Sequence, residues 1–267
     1  MRVALCALML ICFAAISVRA GGDVRDLPPR AAAMGGSGCA LGGALLPVLN
    51  PASALGCGSG GAVYWTPQRF GFTELGSVNA GWSQQFHSFS ASAQLQRFGY
   101  DVYNEHRLDV SAAAQYDSCI SIGVRMSLHA VSIVRYGNGL AAGVDIGTRV
   151  LLTEHLYAGA VAEQVLQQGF TDSERLPLVL RLGAGWERDG LQLAMDIEAR
   201  MRSAPCLRVG AEYAVHRAVC LRLGMSHDPH TVTAGCGFHL AGFSIDYAVA
   251  VHPDLGWTHT AGIGFQP

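Results

Sequence analysis

One pattern runs through the last third of the chain. From Leu191 to Met201 the odd positions are Leu191, Leu193, Met195, Ile197, Ala199 and Met201, while Gln192, Asp196, Glu198 and Arg200 fall on the even ones. An apolar face backed by a charged one at period two is what a β-strand imposes. The pattern returns in Leu207, Val209, Ala211, Tyr213 and Val215 against Arg208 and Glu212, and in Leu221, Leu223 and Met225 against Arg222. Segments 231–240 and 243–252 repeat it, and 257–265 is the last. Each segment runs about 9–12 residues, the span a tilted strand needs to cross a bilayer. A soluble sandwich would alternate too, but its strands are roughly half as long.

Upstream, the same reading predicts strands at 61–70, 77–86, 88–97, 107–116, 119–133, 141–152, 156–167 and 178–187, and then at 191–201, 206–216 and 219–226. With the last three segments this makes about 14. Longer connections (71–76, 98–106, 134–140, 168–177, 202–205, 227–230, 253–256) alternate with shorter ones such as 117–118, 153–155, 188–190, 217–218 and 241–242. A barrel with one external and one periplasmic rim gives that alternation. Strand one carries Pro67, tolerated only at an edge or bulge.

Composition points the same way. The 267 residues are 50% hydrophobic and only 14% charged, with a mean hydropathy of +0.27, against about 25% charged in soluble domains. Beyond residue 20 no apolar run approaches the roughly 20 residues of a spanning helix. Residues 1–20 read as a secretory signal: Arg2, an apolar stretch Val3–Ile16, and Val18-Arg19-Ala20 as a small-x-small cleavage site. Removing Arg2 and Arg19 from 18 basic residues leaves 16 against 20 acidic ones, a mature charge of about −4, which disfavours nucleic acid as a partner.

Residues 21–60 lack alternation and are rich in Gly and Ala. Asn50-Pro51-Ala52-Ser53-Ala54-Leu55 predicts a short helix, with Asn50 as N-cap and Pro51 at its first position. A phosphate-binding loop fails at Leu41, where the third glycine of the motif should stand. A segment without strands cannot satisfy its backbone in lipid, but it can inside a polar lumen.

Arg30-Ala31-Ala32-Ala33-Met34-Gly35-Gly36 followed by Asn50-Pro51-Ala52 resembles the opening of outer-membrane barrels of the FadL-type long-chain fatty-acid transporter superfamily, especially its PorV/PorQ-like branch. At the other end, Asp246-Tyr247-Ala248 and Leu255-Gly256-Trp257-Thr258-His259 are similar to that branch's closing strands. The resemblance covers both ends of the mature chain; the middle agrees in pattern only. It implies an all-β fold: a transmembrane antiparallel up-and-down β-barrel of 14 strands, its N-terminal segment plugging the lumen. The organisation expected is a signal peptide (1–20), a plug segment (21–60) and an outer-membrane barrel (61–267). Arg30, Met34, Gly35, Gly36, Asn50 and Pro51 are the expected plug or gate residues. The chain is short for a fatty-acid transporter, and Phe265 is followed by Gln266 and Pro267, where such barrels usually end on an aromatic.

Alternation then assigns Arg125, Arg181, Asp196, Glu198, Arg208, Glu212, Arg222 and Asp246 to the lumen, with His129, His216 and His239, and turns Val209 and Leu221 to lipid. The lumen charges either pair with one another and the plug or line a solute path. The sequence has no G-x-S-x-G and no H-E-x-x-H, so no catalytic residue and no cofactor is expected. His227-Asp228-Pro229-His230 with His252 and Asp254 could gather at the external rim and bind a metal, but turn chemistry explains them as well, and no metal ligand is assigned. Cys220 and Cys236 sit on neighbouring strands but on opposite faces, as small apolar fillers. With no C-x-x-C, a structural zinc site has little support. Two function classes follow. One is a route for small hydrophobic, fatty-acid-like molecules across the outer membrane. The other is a non-transporting interaction or secretion-accessory barrel, or a surface adhesin. The partners expected are outer-membrane lipid and a small hydrophobic ligand.

Overall fold

A computed structural model describes residues 25–42, 46–55, 58–170, 176–200 and 203–267; the signal-peptide stretch lies outside them. Fourteen strands form one closed barrel in which every strand pairs antiparallel with its chain neighbours and β1 closes on β14. They are β1 (Gly60–Thr66), β2 (Ser77–Gln85), β3 (Phe89–Gly99), β4 (Tyr103–Asp117), β5 (Ile120–Ile133), β6 (Gly137–Thr153), β7 (Leu156–Gln168), β8 (Val179–Arg188), β9 (Leu191–Arg200), β10 (Cys206–His216), β11 (Val219–His227), β12 (Thr231–Leu240), β13 (Phe243–His252) and β14 (Gly256–Phe265). Closure leaves the wall without an edge strand, the condition for a sheet to stand in lipid.

The alternation of the sequence becomes the two faces of the wall. Arg125 is 1% exposed and its neighbour Met126 64%; Arg222 is 2% exposed and Leu221 52%. Val209, Leu223, Ile245 and Ile263 continue the outward apolar band. Aromatic side chains gather at both ends of it. Phe86, Phe89, Tyr116, Tyr213, Phe243 and Phe265 lie at one rim, and Trp65 and Trp257 toward the other. Such girdles mark the two membrane interfaces. Two-residue turns (118–119, 154–155, 189–190, 217–218, 241–242) crowd the rim where the barrel sequence begins and ends, which makes that rim periplasmic.

The wall differs from the sequence reading in two ways. β1 stops at Thr66, so Pro67 falls outside the ladder, where its missing N–H costs nothing. And β4 and β6 begin at Tyr103 and Gly137, earlier than expected, giving strands of 15 and 17 residues. Their first turns (Tyr103-Asn104-Glu105-His106; Gly137-Asn138-Gly139) carry no apolar alternation because they stand above the bilayer, yet they pair all the same.

Candidate functional site in the barrel lumen

The N-terminal segment packs against inward-facing wall residues. Helix α1 (Pro29–Ala33) starts on a proline, whose fixed φ suits a first helical turn. It ends where Gly35 and Gly36 take positive φ, which a Cβ disfavours. The wall leaves room for it. Gly210 and Gly224 are cross-strand partners. A Cβ on Gly224 would stand 2.3 Å from Gly35 N, and one on Gly210 2.4 Å from the Met34 carbonyl. A second partnered pair, Gly123 and Gly147, receives the turn at Asn50 and Pro51, at 2.4 Å from Pro51 C and 2.2 Å from Asn50 Oδ1. That turn is a 3-10 helix, Pro51–Ala54. It is one turn long, too short for the α-helical hydrogen-bond ladder to take hold. Asn50 caps it as the sequence suggests: Oδ1 accepts from Ala52 N at 2.9 Å. Its amide also donates to Cys39 O (2.7 Å) and Thr148 O (3.0 Å), tying turn, segment and β6 together.

All eight charged positions assigned to the lumen face the interior, where they are paired. Asp196 accepts from Gly38 N and Cys39 N, both at 3.0 Å. Glu198 holds Arg181, Arg200 and, at 3.4 Å, Arg208; Arg208 also donates to Gly35 O. Glu212 bridges Arg30 of the segment (2.9 Å) and Arg222 (2.5 Å), and Arg222 reaches Asp246 at 2.6 Å. Arg125 donates to Asp145 (2.7 Å) and to Val48 O (2.8 Å). Buried pairs of this kind contribute little net stability, but removing one partner strands a charge at a cost of about 3–5 kcal/mol. They therefore fix where the segment sits more than they strengthen the barrel.

The sequence reading passed over several residues of this network. Asp145 is fully buried and lies opposite Arg125 in register. It also takes Arg25 at 3.1 Å, while Arg25 reaches Glu163 at 2.7 Å. Burial works to lower the Arg25 pKa, but Glu163, Asp109 and Asp145 outweigh it and hold the guanidinium above its ordinary value. Asp26 pairs with Arg69, and Arg107 with Asp109. Period-two counting from Arg125 would have found Asp145 and Asp109; nothing in the sequence marks Arg25 or Asp26. Of the three histidines assigned inward, His129 is buried and His239 borders the interior cavity. His216 instead lies exposed past a β-bulge at Ala214, its ring accepting from Ala218 N. His227 and His230 stack edge-on, and His252 accepts from Asp254 N and Leu255 N. Among the described residues these rim groups do not converge as a metal-ligand cluster.

Among the described residues, two cavities flank the segment. The larger, about 580 Å³, lies toward the periplasmic rim, between Met34, Leu41, Leu46 and Val48 of the segment and Ala62 and Gly264 of the wall. The smaller, about 100 Å³, lies toward the external rim and is charged, bordered by Arg25, Arg107, Arg181, Arg208, Glu163 and Glu198.

No protein-family model matches the sequence, and no curated protein matches it. The structure is similar to the Pseudomonas putida toluene transporter TodX, with a TM-score of 0.65 at 13% identity over 91% of this chain and 97% of that one. It is also similar to a Pseudomonas aeruginosa FadL homologue (TM-score 0.63, 11% identity, 91% and 97% covered). The Acinetobacter baumannii outer membrane protein Omp33 shares the architecture more loosely (TM-score 0.53, 7% identity, 78% and 96% covered). Closed wall, apolar belt, aromatic girdles and these likenesses agree on one conclusion: the chain is a 14-stranded β-barrel of the outer membrane.

Proposed function

We propose that the barrel is a gated route for small apolar molecules across the outer membrane, with the N-terminal segment as its plug. The cavity of about 580 Å³ between that segment and the wall carries this reading. It falls in the size range of small-ligand sites, roughly 300–1,000 Å³, and Leu41, Leu46, Val48 and Leu49 give it an apolar side. An aromatic hydrocarbon or a short acyl chain fits such a space. The toluene transporter and the FadL homologue among the similar structures support the same substrate class. The charged external cavity is too small to pass such a solute, so passage requires the segment to shift. Arg30, Met34, Gly35, Gly36, Asn50 and Pro51 hold the contacts that must loosen. No step calls for a catalytic group.

Ala62 borders the cavity from β1, and Ala62→Trp narrows it without touching the charge network. Cells carrying the intact protein should take up radiolabelled toluene or a short fatty acid faster than cells without it, and Ala62→Trp should remove most of that gain. Equal uptake with and without the protein contradicts the proposal. The reading then left is the docking role implied by the PorV/PorQ-like branch, whose likeness rests on the two end motifs.

A further inference from the structure

Three side chains that could hold a metal converge at the periplasmic end of the lumen, on three consecutive strands. Cys220 of β11, Gly237 of β12 and Asp246 of β13 form one row across the sheet, each partnered with the next. His239 stands two residues along β12 from Gly237, on the same face. One ligand atom from each of Cys220, His239 and Asp246 lies within 4.8 Å of the others. The space between them exists because position 237 has no side chain. A Cβ there would come within 2.5 Å of Asp246 Oδ1 and 2.7 Å of Cys220 Sγ.

We propose that Cys220, His239 and Asp246 bind one borderline-soft divalent cation, with Zn²⁺ as the type. Thiolate, imidazole and carboxylate together suit such an ion and no hard cation. Metal–ligand bonds of about 2.0–2.3 Å put tetrahedral ligands roughly 3.5 Å apart, so the three donors must close by about an ångström. Cys220 and Asp246 are held in the wall; His239 is exposed at the end of its strand and can swing in. Arg222 grips Asp246 through Oδ1 at 2.6 Å. Arg222 Nη2 also borders the space, 2.9 Å from where a Gly237 Cβ would stand, so the guanidinium orients the carboxylate as outer-shell partners of metal ligands do, and the carboxylate's second oxygen is the donor that must turn to the metal. Arg222 and Arg30 are balanced by Glu212 and Asp246, so ionising Cys220 leaves one negative charge over. Binding releases the thiol proton to solvent. His239 and Asp246 border the large cavity, which supplies the entry path and room for a fourth ligand, water. The ligands come from three strands with no short spacing, so no sequence motif marks the site. The proposal stands independently of what the barrel transports.

The test is a Co²⁺ titration of the full-length protein, folded in detergent and stripped with chelator. A near-ultraviolet thiolate-to-cobalt band should rise to one equivalent and vanish on adding Zn²⁺. Cys220→Ser should abolish the band and Cys119→Ser should leave it. His239→Ala, at an exposed position, and Gly237→Ala, which keeps all three donors but fills their space, should each weaken binding by roughly tenfold or more. Heat-modifiable migration checks that each variant is folded, and if Cys220→Ser fails that check the other two decide. No thiolate band, whether or not cobalt binds elsewhere, or a band unchanged in His239→Ala and Gly237→Ala, overturns the proposal.

Discussion

Asp196 shows how much one side chain can position. Its carboxylate is the acceptor for two consecutive N–H groups, those of the half-buried Gly38 and the buried Cys39. Asp196→Ala leaves both unpaired, at roughly 1–3 kcal/mol each. Hydrogen exchange at Gly38 and Cys39 should speed up accordingly while the barrel strands keep their protection; unchanged exchange would mean that the segment is held elsewhere. Cys39 gives a second residue-scale test. Burial pushes its thiol well above the ordinary value of 9.0, and Asp196 adds to the effect. The docked thiol thus keeps its proton at a pH where an undocked one loses it, so docking weakens as the pH rises through about 9. A maleimide at pH 8 should modify the exposed Cys119 in the folded protein and reach Cys39 only once the segment is released. Equal labelling of the two would refute the buried placement.

Strands and short helices divide the work between lipid and lumen. Leu223 sits midway along β11 and is 65% exposed. Leu223→Arg should lower the stability measured by reversible unfolding by about 2–4 kcal/mol, the cost of a charge near the bilayer midplane; a change near zero would place Leu223 away from lipid. At the wall's inner face, Gly224→Val should drive the segment out, because the added side chain meets Gly35 and Met34 backbone. Protease cleavage near residue 35 in a still heat-modifiable barrel is the expected readout. This scale was the most legible in the sequence. A wall with lipid on one side and charge on the other writes its register into every second residue, so Arg125 and Arg222 could be faced correctly without a structure. The glycine pairs could not be read that way. Gly123 and Gly147, or Gly210 and Gly224, become platforms only when strands far apart along the chain come side by side. The long upper turns of β4 and β6 were missed because pairing above the membrane needs no apolar face.

At the scale of the whole molecule, a closed wall surrounds a segment that is tied to it on several sides, with a large, partly apolar cavity toward one rim and a small charged one toward the other. The segment is held by polar anchors and by buried apolar side chains together, among them Met34, Leu41, Leu46 and Val48. On the proposed function this segment closes the lumen. The single-channel conductance of a variant lacking residues 30–55, confirmed as folded by heat-modifiable migration, is the decisive measurement. The intact protein should conduct little in planar bilayers, and the deletion variant should open large, steady channels. A folded deletion variant that conducts no more than the intact protein would contradict the claim.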